Sequence, residues 1–331
     1  MERKTRKARS ILAAQQMDEL PAACASEKAA YAYMESKRWG ETPCCPRCGA
    51  VNVYRMAGEK AEARFLWRCR DCKRQYTVRI GTVFEESQLP LRHWVRAFWE
   101  AAKSKNGVSA LELSRILGIS YKSALFMLHR VRLAMTDDPA TPPKMTGTVE
   151  VDEVYVGGQL RPSNGFTNYR GYQGDRTAQA MDKKTPVVGM VQRGGNVRLR
   201  VVADVTGQSL AEVVKANVDP SARLMTDGWQ AYKGIGKHFA EHRVVRHNVG
   251  EYVNRNDRSI HTNTIENVFL RLQRSLYGTY AAVSKKHLHR YANHAAFLHN
   301  TRGLSDAQRI GAAIKGAAGK RMTYAQQVGA A

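Results

Sequence analysis

The 331-residue chain has 52 lysines and arginines against 29 acidic residues, which gives a formal net charge of +23. A positive field this strong favours a polyanionic partner, with nucleic acid first and ribosome-like scaffolding or an anionic membrane surface as the alternatives. The 43% of hydrophobic residues excludes global disorder, the length suits two or three modules, and no apolar run approaches the ~18 residues of a membrane span. Residues 1–20 are basic, with a short apolar part followed by acids, so we expect no secretory signal and an intracellular protein.

Two closely spaced cysteine pairs follow a first short helix. Ser26 is a suitable cap for that helix, which we predict over residues 26–39. The pairs are Cys45 with Cys48 and Cys69 with Cys72, both in CxxC spacing, with 20 residues between the pairs. In an intracellular protein this spacing predicts a structural, tetrahedral Zn²⁺ site of four thiolates rather than disulfides. Cys44 lies outside the spacing and is an alternative ligand.

The segments between the cysteine pairs resemble the two strands of a ribbon hairpin, over residues 51–55 and 64–68. A fold of roughly forty residues buries too little surface to be stable alone, so the metal would supply much of its stability. The ribbon is either a packing module or a DNA-binding module. Its basic residues favour DNA contact: Arg47, Arg64, Arg68, Arg70, Lys73 and Arg74.

Residues 108–131 have the pattern of a helix-turn-helix. Ser109 is placed to cap the first helix, Gly118 to make the turn and Ser120 to cap the second helix. A helical hairpin without DNA contact fits the pattern nearly as well, but the net charge and the neighbouring ribbon favour DNA. In that case the exposed start of the recognition helix carries the DNA-binding residues Tyr121, Lys122 and Ser123.

Strand-like runs begin after residue 147. Strands followed by helices predict an α/β fold in which a mixed sheet is flanked by helices. The polar, basic stretch 159–184 has no periodicity, and we expect it to be a mobile loop. The predicted strands cover residues 148–156, 186–192, 197–204, 223–227 and 242–249, with helical patterns at 209–216 and from 263 to 300.

Three acidic residues stand out against this pattern. Asp152 interrupts the β-branched run of the first strand, Asp227 ends a short apolar strand, and Glu266 falls in the first turn of a later helix. Each acid also has an ordinary structural interpretation. Asp152 fits an edge strand whose acids face water, Asp227 fits a turn, and Glu266 fits a residue that complements the helix dipole. Taken together, they are the carboxylates that two-metal phosphoryl transfer requires. Such oxygen ligands suit Mg²⁺ or Mn²⁺ rather than zinc.

The ordered motifs CPRCG, RCRDC, VEVDEVYVGG, LMTDGWQAY and HTNTIENVF resemble those of bacterial insertion-sequence transposases with an N-terminal zinc ribbon and an RNase H-like integrase core. The resemblance covers roughly residues 39–324. It implies a DDE-type transposase in which Asp152, Asp227 and Glu266 form the catalytic, Mg²⁺- or Mn²⁺-binding triad.

The chain departs from this family pattern at one position. Family members usually have a lysine seven residues after the third acid, where this chain has Gln273 followed by Arg274. Some members have asparagine as the third residue. The accessory candidates are therefore Asn263 and Asn267, either of which would share the role of the third residue, and Gln273 and Arg274 at the place of the family lysine, where Arg274 would supply the DNA contact.

The sequence and the resemblance together predict five segments. They are an N-terminal basic and helical segment (1–40), a zinc ribbon (41–83), a helix-turn-helix-like DNA-binding segment (84–142), an RNase H-like catalytic domain (143–302) and a C-terminal tail (303–331).

The predicted function is that of a transposase which binds the terminal inverted repeats of its insertion sequence, cleaves there and joins the 3′-hydroxyls to target DNA. It would act as a homodimer or higher oligomer on DNA, in the bacterial cytoplasm and at the nucleoid, without a membrane partner. The loop 159–184 would grip DNA near the active site. The alternatives are an inert zinc-ribbon, helix-turn-helix DNA-binding protein, which Gln273 favours, and an RNase H-type nuclease without strand transfer.

Overall fold

The computed structural model describes residues 19–137, 143–157, 184–232, 234–245 and 253–328. The chain divides into two compact units, Met1–Asp137 with Thr301–Ala331, and Asp138–Asn300. Several predicted features lie wholly or partly outside the described residues. Among them are the first 18 residues, the loop 159–184 except for its last residue, the end of the strand predicted at 242–249, and the last residues of the segments 84–142 and 303–331. Within the described ranges, no helix is long and apolar enough to cross a membrane.

Helix α1 (Glu27–Trp39) precedes a small antiparallel sheet. As predicted, Ser26 caps α1, because its side chain accepts a hydrogen bond from the backbone N–H of Ala29 at 3.0 Å. The sheet consists of β1 (Val53–Arg55), β2 (Trp67–Cys69) and β3 (Gln75–Tyr76), with helix α2 (Glu59–Ala63) between the first two strands. The predicted hairpin is therefore present, with a short helix in its connection and a third strand on its far side.

Three helices complete the N-terminal part of the first unit: α3 (Leu91–Lys103), α4 (Ala110–Leu117) and α5 (Tyr121–Ala134). Helices α4 and α5 pack against each other. Leu113 of α4 and Ala124 and Leu128 of α5 are buried. The helical pair predicted from the sequence is therefore present.

Both caps predicted for this pair are also present. The side chain of Ser109 accepts a hydrogen bond from the backbone N–H of Glu112, and the side chain of Ser120 accepts one from Ser123, each at 3.1 Å. Gly118 ends α4 with φ 64°, a left-handed conformation that residues with a Cβ rarely adopt.

The second unit is built on a mixed five-stranded sheet. Its elements are β4 (Thr148–Val156), β5 (Thr185–Gln192), β6 (Val197–Val201), α6 (Gly207–Asn217), β7 (Arg223–Asp227), β8 (Glu241–Val245), α7 (Asn263–Arg274) and α8 (Leu288–Asn300). The strand order is β6–β5–β4–β7–β8. Strand β4 pairs antiparallel with β5 and parallel with β7. At the two edges, β6 pairs antiparallel with β5, and β8 pairs parallel with β7.

Helices cover both faces of this sheet, which confirms the predicted α/β fold. On one face α7 contributes the apolar stripe expected from its sequence, including buried Ile265, Phe269 and Leu272. On the other face, Leu210 and other residues of α6 pack against residues of β4 such as Val151. Burying each such side chain stabilises the fold by about 1.5–3 kcal/mol. Because alternate residues of a strand point to opposite faces, Asp152 lies on the face covered by α7.

The C-terminal residues return to the first unit, in a region to which the sequence analysis assigned no structure. They form α9 (Asp306–Lys315) and α10 (Tyr324–Val328). Ser305 and Gln308 make a capping box at the start of α9. Helix α9 packs against α1, α3 and α5 through a stripe that includes buried Ile310 and Ile314. This helix is part of the helical core of the first unit.

Candidate functional site

The four predicted cysteines lie together at one end of the ribbon. The Sγ atoms of Cys45 and Cys72 are 3.7 Å apart, as are those of Cys48 and Cys69, and all four lie within 4.8 Å of one another. Tetrahedral Zn²⁺ with Zn–S bonds of about 2.3 Å separates its sulfur ligands by about 3.8 Å. The four thiolates therefore fit a structural zinc ion, and Cys44 does not belong to the group.

Helix α1 supports this end of the ribbon. The Trp39 ring contacts the rings of Trp67 and Tyr76 edge-on, at centroid distances of 5.8 and 6.0 Å. Glu35, which is also on α1, accepts a hydrogen bond from the Trp67 indole at 2.9 Å and forms an ion pair with Arg55. These contacts hold β1 and β2 in place beside the cysteines.

The basic residues that we predicted to bind DNA from the ribbon belong to the segment that carries the four cysteines. Arg68 donates to the carbonyl of Lys73 at 3.3 Å, and the guanidinium of Arg70 lies over the Tyr54 ring at 4.9 Å. Arg68 is half-buried, and the other five basic residues of the ribbon are exposed. These five are Arg47, Arg64, Arg70, Lys73 and Arg74. The ribbon therefore presents cations at its surface.

The residues predicted at the start of the recognition helix differ in their exposure. Tyr121 and Lys122 are exposed, and the ammonium of Lys122 lies 5.7 Å from the ring centroid of Phe126 and 5.9 Å from that of Tyr324. The Ser123 hydroxyl accepts a hydrogen bond from Ser120 at 2.9 Å and thus takes part in the cap. Tyr121 and Lys122 are the residues whose side chains face solvent here.

A second cluster lies at the carboxyl end of β7, beside the middle of β4, where three carboxylates meet. Asp152 and Glu153 belong to β4 and Asp227 ends β7, and one oxygen of each lies within 4.8 Å of the other two. The parallel pairing of β4 with β7 ends at Glu150 and Met225. Continuing that register by two residues places Asp152 level with Asp227. The crevice between parallel strands that stop pairing is a common location for ligands in α/β proteins.

Burial and like charge perturb Asp152 strongly. Its pKa is raised to about 8, chiefly by burial, then by the charge of Glu153, with smaller contributions from Asp227 and Glu266. A hydrogen bond from the backbone N–H of Glu153 to Asp152 Oδ1, at 2.8 Å, acts in the opposite direction. A divalent cation in the cluster would compensate the repulsion between these carboxylates.

Glu153 is the member of the cluster that the sequence analysis missed. Strict alternation along β4 assigns Glu153 to the face opposite Asp152, but a carboxylate oxygen of each lies within 4.8 Å of the other and of Asp227 at the end of β7. The hydroxyl of Tyr232, which is fully buried, donates to Glu153 Oε2 at 2.6 Å. Burial raises the pKa of Glu153, and this hydrogen bond opposes the shift. The adjacent acids Asp152 and Glu153 were the available sequence signal.

Glu266 lies in the first turn of α7, as predicted, and its charge acts on Asp152. Its carboxylate accepts a hydrogen bond from the Thr262 hydroxyl at 3.1 Å and is not one of the three acids within 4.8 Å of one another. The structure therefore brings two of the three predicted acids together with Glu153, and places Glu266 nearby on the facing helix.

The accessory candidates also lie on α7. Asn263 and Gln273 are half-buried, whereas Asn267 and Arg274 are exposed. The Asn267 side chain donates to the carbonyl of Asn263 at 2.8 Å.

The four-cysteine ribbon and the α/β domain with its convergent carboxylates are the features expected of a zinc-ribbon transposase, and two comparisons support this class. Residues 144–300 match the ISXO2-like transposase domain, and residues 25–75 match the transposase zinc-ribbon domain. The chain is also 30% identical, over 270 residues, to an uncharacterized protein in transposable element ISH50 of Halobacterium salinarum. That similarity covers 80% of this chain and 88% of the relative. The chain therefore belongs to the IS1595 family of ISXO2-like transposases.

The relative is archaeal, so the comparison supports the family and leaves the bacterial origin a prediction. Among solved structures, the chain is similar to one in a simian T-cell lymphotropic virus intasome in complex with PP2A regulatory subunit B56 gamma. The identity is 13%, and the match covers 56% of this chain and 63% of that chain, less than two thirds of its length. The TM-score of 0.28 is too low to establish a shared fold.

Proposed function

We propose that this protein is the transposase of an insertion sequence: it binds the ends of its element, cleaves DNA there and joins the 3′-hydroxyls to target DNA. The observation that carries the proposal is the meeting of Asp152 and Glu153, in the middle of β4, with Asp227 at the end of the parallel strand β7, inside a transposase domain. Carboxylate oxygens are the ligands that Mg²⁺ and Mn²⁺ prefer.

Asp152 and Asp227 are the residues that we assign to the metal ions, with Glu266 from α7 and Glu153 from β4 as candidates for the remaining carboxylate. Bound Mg²⁺ or Mn²⁺ would activate the attacking oxygen and stabilise the leaving 3′-oxygen of a DNA phosphodiester. The protein's own contribution is placement. Tyr232 holds one oxygen of Glu153, and the backbone N–H of Trp229 donates to Asp227 Oδ1 at 3.1 Å.

The DNA-binding parts would be the zinc ribbon and the helix-turn-helix-like pair. We assign the ribbon arginines and the exposed residues Tyr121 and Lys122 to the terminal inverted repeats. A homodimer or higher oligomer on DNA would bring two element ends to one target, and such a complex would act at the nucleoid. The core that carries the acids would be RNase H-like, since its mixed five-stranded sheet is covered on both faces by helices.

The test uses purified full-length protein, a labelled duplex of the element end and a supercoiled target plasmid in Mg²⁺. We expect specific binding to the end duplex in Ca²⁺, and both cleavage and joined products in Mg²⁺. Cleavage without joining would indicate a nuclease, and binding without either reaction would indicate an inert DNA-binding protein. A scrambled end duplex of the same length is the control.

A second arm assigns the remaining carboxylate. Glu153→Gln and Glu266→Gln are compared with Glu212→Gln, which changes the same charge on the exposed surface of α6. The variant of the true ligand loses both cleavage and joining, whereas Glu212→Gln behaves as wild type. Asn263→Ala and Asn267→Ala are assayed alongside. If one of these variants is inactive while both glutamate variants still join DNA, the asparagine is the third ligand and neither glutamate is.

A further inference from the structure

A buried carboxylate, Glu150, links the strand that carries Asp152 to the helix that carries Glu266. Glu150 lies on β4 two residues before Asp152, on the same face of the sheet, and is 0% exposed. A carboxylate removed from water in this way needs charged or hydrogen-bonding partners. Most of its partners belong to the first turn of α7 or to the segment that leads into it.

The two oxygens of Glu150 have separate partners. Oε2 accepts hydrogen bonds from the backbone N–H groups of Thr264 and Ile265, at 2.8 and 3.0 Å. Oε1 accepts from the Thr264 hydroxyl at 2.8 Å and from Arg193 Nε at 2.7 Å. Thr262, at the cap position of α7, does not cap the helix with its own side chain. A strand residue thus satisfies N–H groups that a helix normally leaves open at its start, where negative charge is also favoured.

Arg193 extends this connection to the segment before α7. It follows β5, and its backbone N–H donates to the carbonyl of Thr148 at 2.9 Å. Its guanidinium donates to the carbonyl of Ser259 at 2.5 Å and to that of His261 at 2.8 Å. Glu150 and Arg193 therefore each bind the entry to α7 directly, and an ion pair links the two residues to each other.

We propose that Glu150 and Arg193 are positioning residues of the active site, which fix the first turn of α7, and with it Glu266, relative to Asp152. The proposal rests on the proposed transposase function. Glu266 directly follows Ile265, whose N–H is bound by Glu150, so a shift of the first turn moves Glu266 directly. Neither Glu150 nor Arg193 is assigned to contact the metal or DNA.

The test is a double-mutant cycle with full-length protein. Glu150→Gln keeps the shape of the side chain but places an amide group against donors. We expect joining to fall about 10- to 100-fold, the size typical of residues that orient metal ligands. Adding Glu150→Gln to Glu266→Gln should then cause little further loss, because Glu150 acts through the carboxylate that Glu266→Gln has already removed. Glu241→Gln, which breaks an ion pair with Arg223 elsewhere in the same sheet, should instead combine additively with Glu266→Gln.

Binding of Mn²⁺, measured by electron paramagnetic resonance without DNA, separates this proposal from the proposed function. We expect Glu150→Gln to weaken Mn²⁺ binding even if wild-type protein joined no DNA, an outcome that would contradict only the transposase assignment. Additive losses in the cycle, a silent Glu266→Gln, or unchanged Mn²⁺ binding would each overturn the positioning role. If Glu150→Gln does not fold, Thr264→Val removes one donor to Glu150 and is read by the same criteria.

Discussion

Asp152 lies directly opposite Gly189 in the antiparallel pair of β4 and β5. A Cβ atom on Gly189 would lie 2.6 Å from Ile265 Cδ1 and 2.7 Å from the ring of Phe269. Because Gly189 has no side chain, α7 lies close against the sheet beside Asp152. The distance between the strand acids and Glu266 therefore depends on a residue that has no chemistry of its own.

Gly189→Ala should disturb the active site more than the fold. Overpacking of this kind destabilises a protein by about 1–3 kcal/mol, and here it must move α7 away from Asp152. We expect the rate of DNA joining by Gly189→Ala to fall even under conditions in which urea unfolding shows the variant to be fully folded. Gly234→Ala is the control, because a Cβ there has nothing within 4 Å and should leave both properties unchanged. Equal behaviour of the two variants would show that the close approach is not needed.

The zinc ribbon gives a prediction about metal content. Four thiolates at tetrahedral spacing should bind one Zn²⁺ per chain, and Cys45→Ser should unfold the ribbon and weaken binding to element ends. The far-UV circular dichroism of the rest of the chain should change little. Cys44→Ser should keep its zinc in elemental analysis. Wild-type protein without zinc, or loss of zinc in Cys44→Ser, would contradict the assigned ligand set.

The raised pKa of Asp152 predicts how stability depends on pH. An aspartate titrates near 3.9 in an unfolded chain and at about 8 here, so between these values the folded, metal-free protein binds more protons than the unfolded chain. The contribution of Asp152 to stability is therefore full below about pH 4 and declines as the pH rises toward about 8. Urea unfolding of metal-free Asp152→Asn should show a weaker decline than wild type between pH 5 and pH 8. Identical slopes would contradict the shift.

The +23 charge predicts strongly salt-dependent binding to DNA. The logarithm of the association constant should fall linearly with that of the salt concentration, with a slope of about 0.9 for each phosphate neutralised. If the exposed ribbon arginines contact phosphates, Arg47→Ala should reduce the slope by about one unit, whereas Lys215→Ala on exposed α6 should not. Binding to an end duplex by fluorescence anisotropy at several salt concentrations measures the slope. A slope unaffected by Arg47→Ala would remove it from the interface.

Local sequence signals predicted the individual elements well. Ser109, Ser120 and Gly118 mark the ends of α4 and α5 because capping and left-handed turns depend on neighbouring residues alone. The strand at 148–156 and the apolar stripe of α7 follow from the periods of two and 3.6 residues in the same way.

Contacts between distant residues were not predictable from the same signals. Glu150 accepts hydrogen bonds from the backbone of Thr264 and Ile265, which follow it in the chain by 114 and 115 positions. Tyr232 donates to Glu153, from which it is separated by 79 positions. Alternation predicts the face of the sheet on which each residue of β4 lies. It does not predict that the pairing of β4 with β7 ends at Glu150, just before the position where the carboxylates of Asp152 and Glu153 come together. Helix α9 was missed because its apolar stripe is narrow and its neighbours are rich in alanine and glycine.

The measurement closest to the central claim is the joining of a pre-cleaved, labelled element end to plasmid DNA by wild type, Asp152→Asn, Asp227→Asn and Glu212→Gln. Asparagine keeps the size of each side chain and removes its charge. We predict that both aspartate variants bind the end duplex in Ca²⁺ as wild type does, yet join it at least about 100-fold more slowly in Mg²⁺ or Mn²⁺, whereas Glu212→Gln joins normally. Normal joining by Asp152→Asn or Asp227→Asn would show that the carboxylate cluster is not the active site.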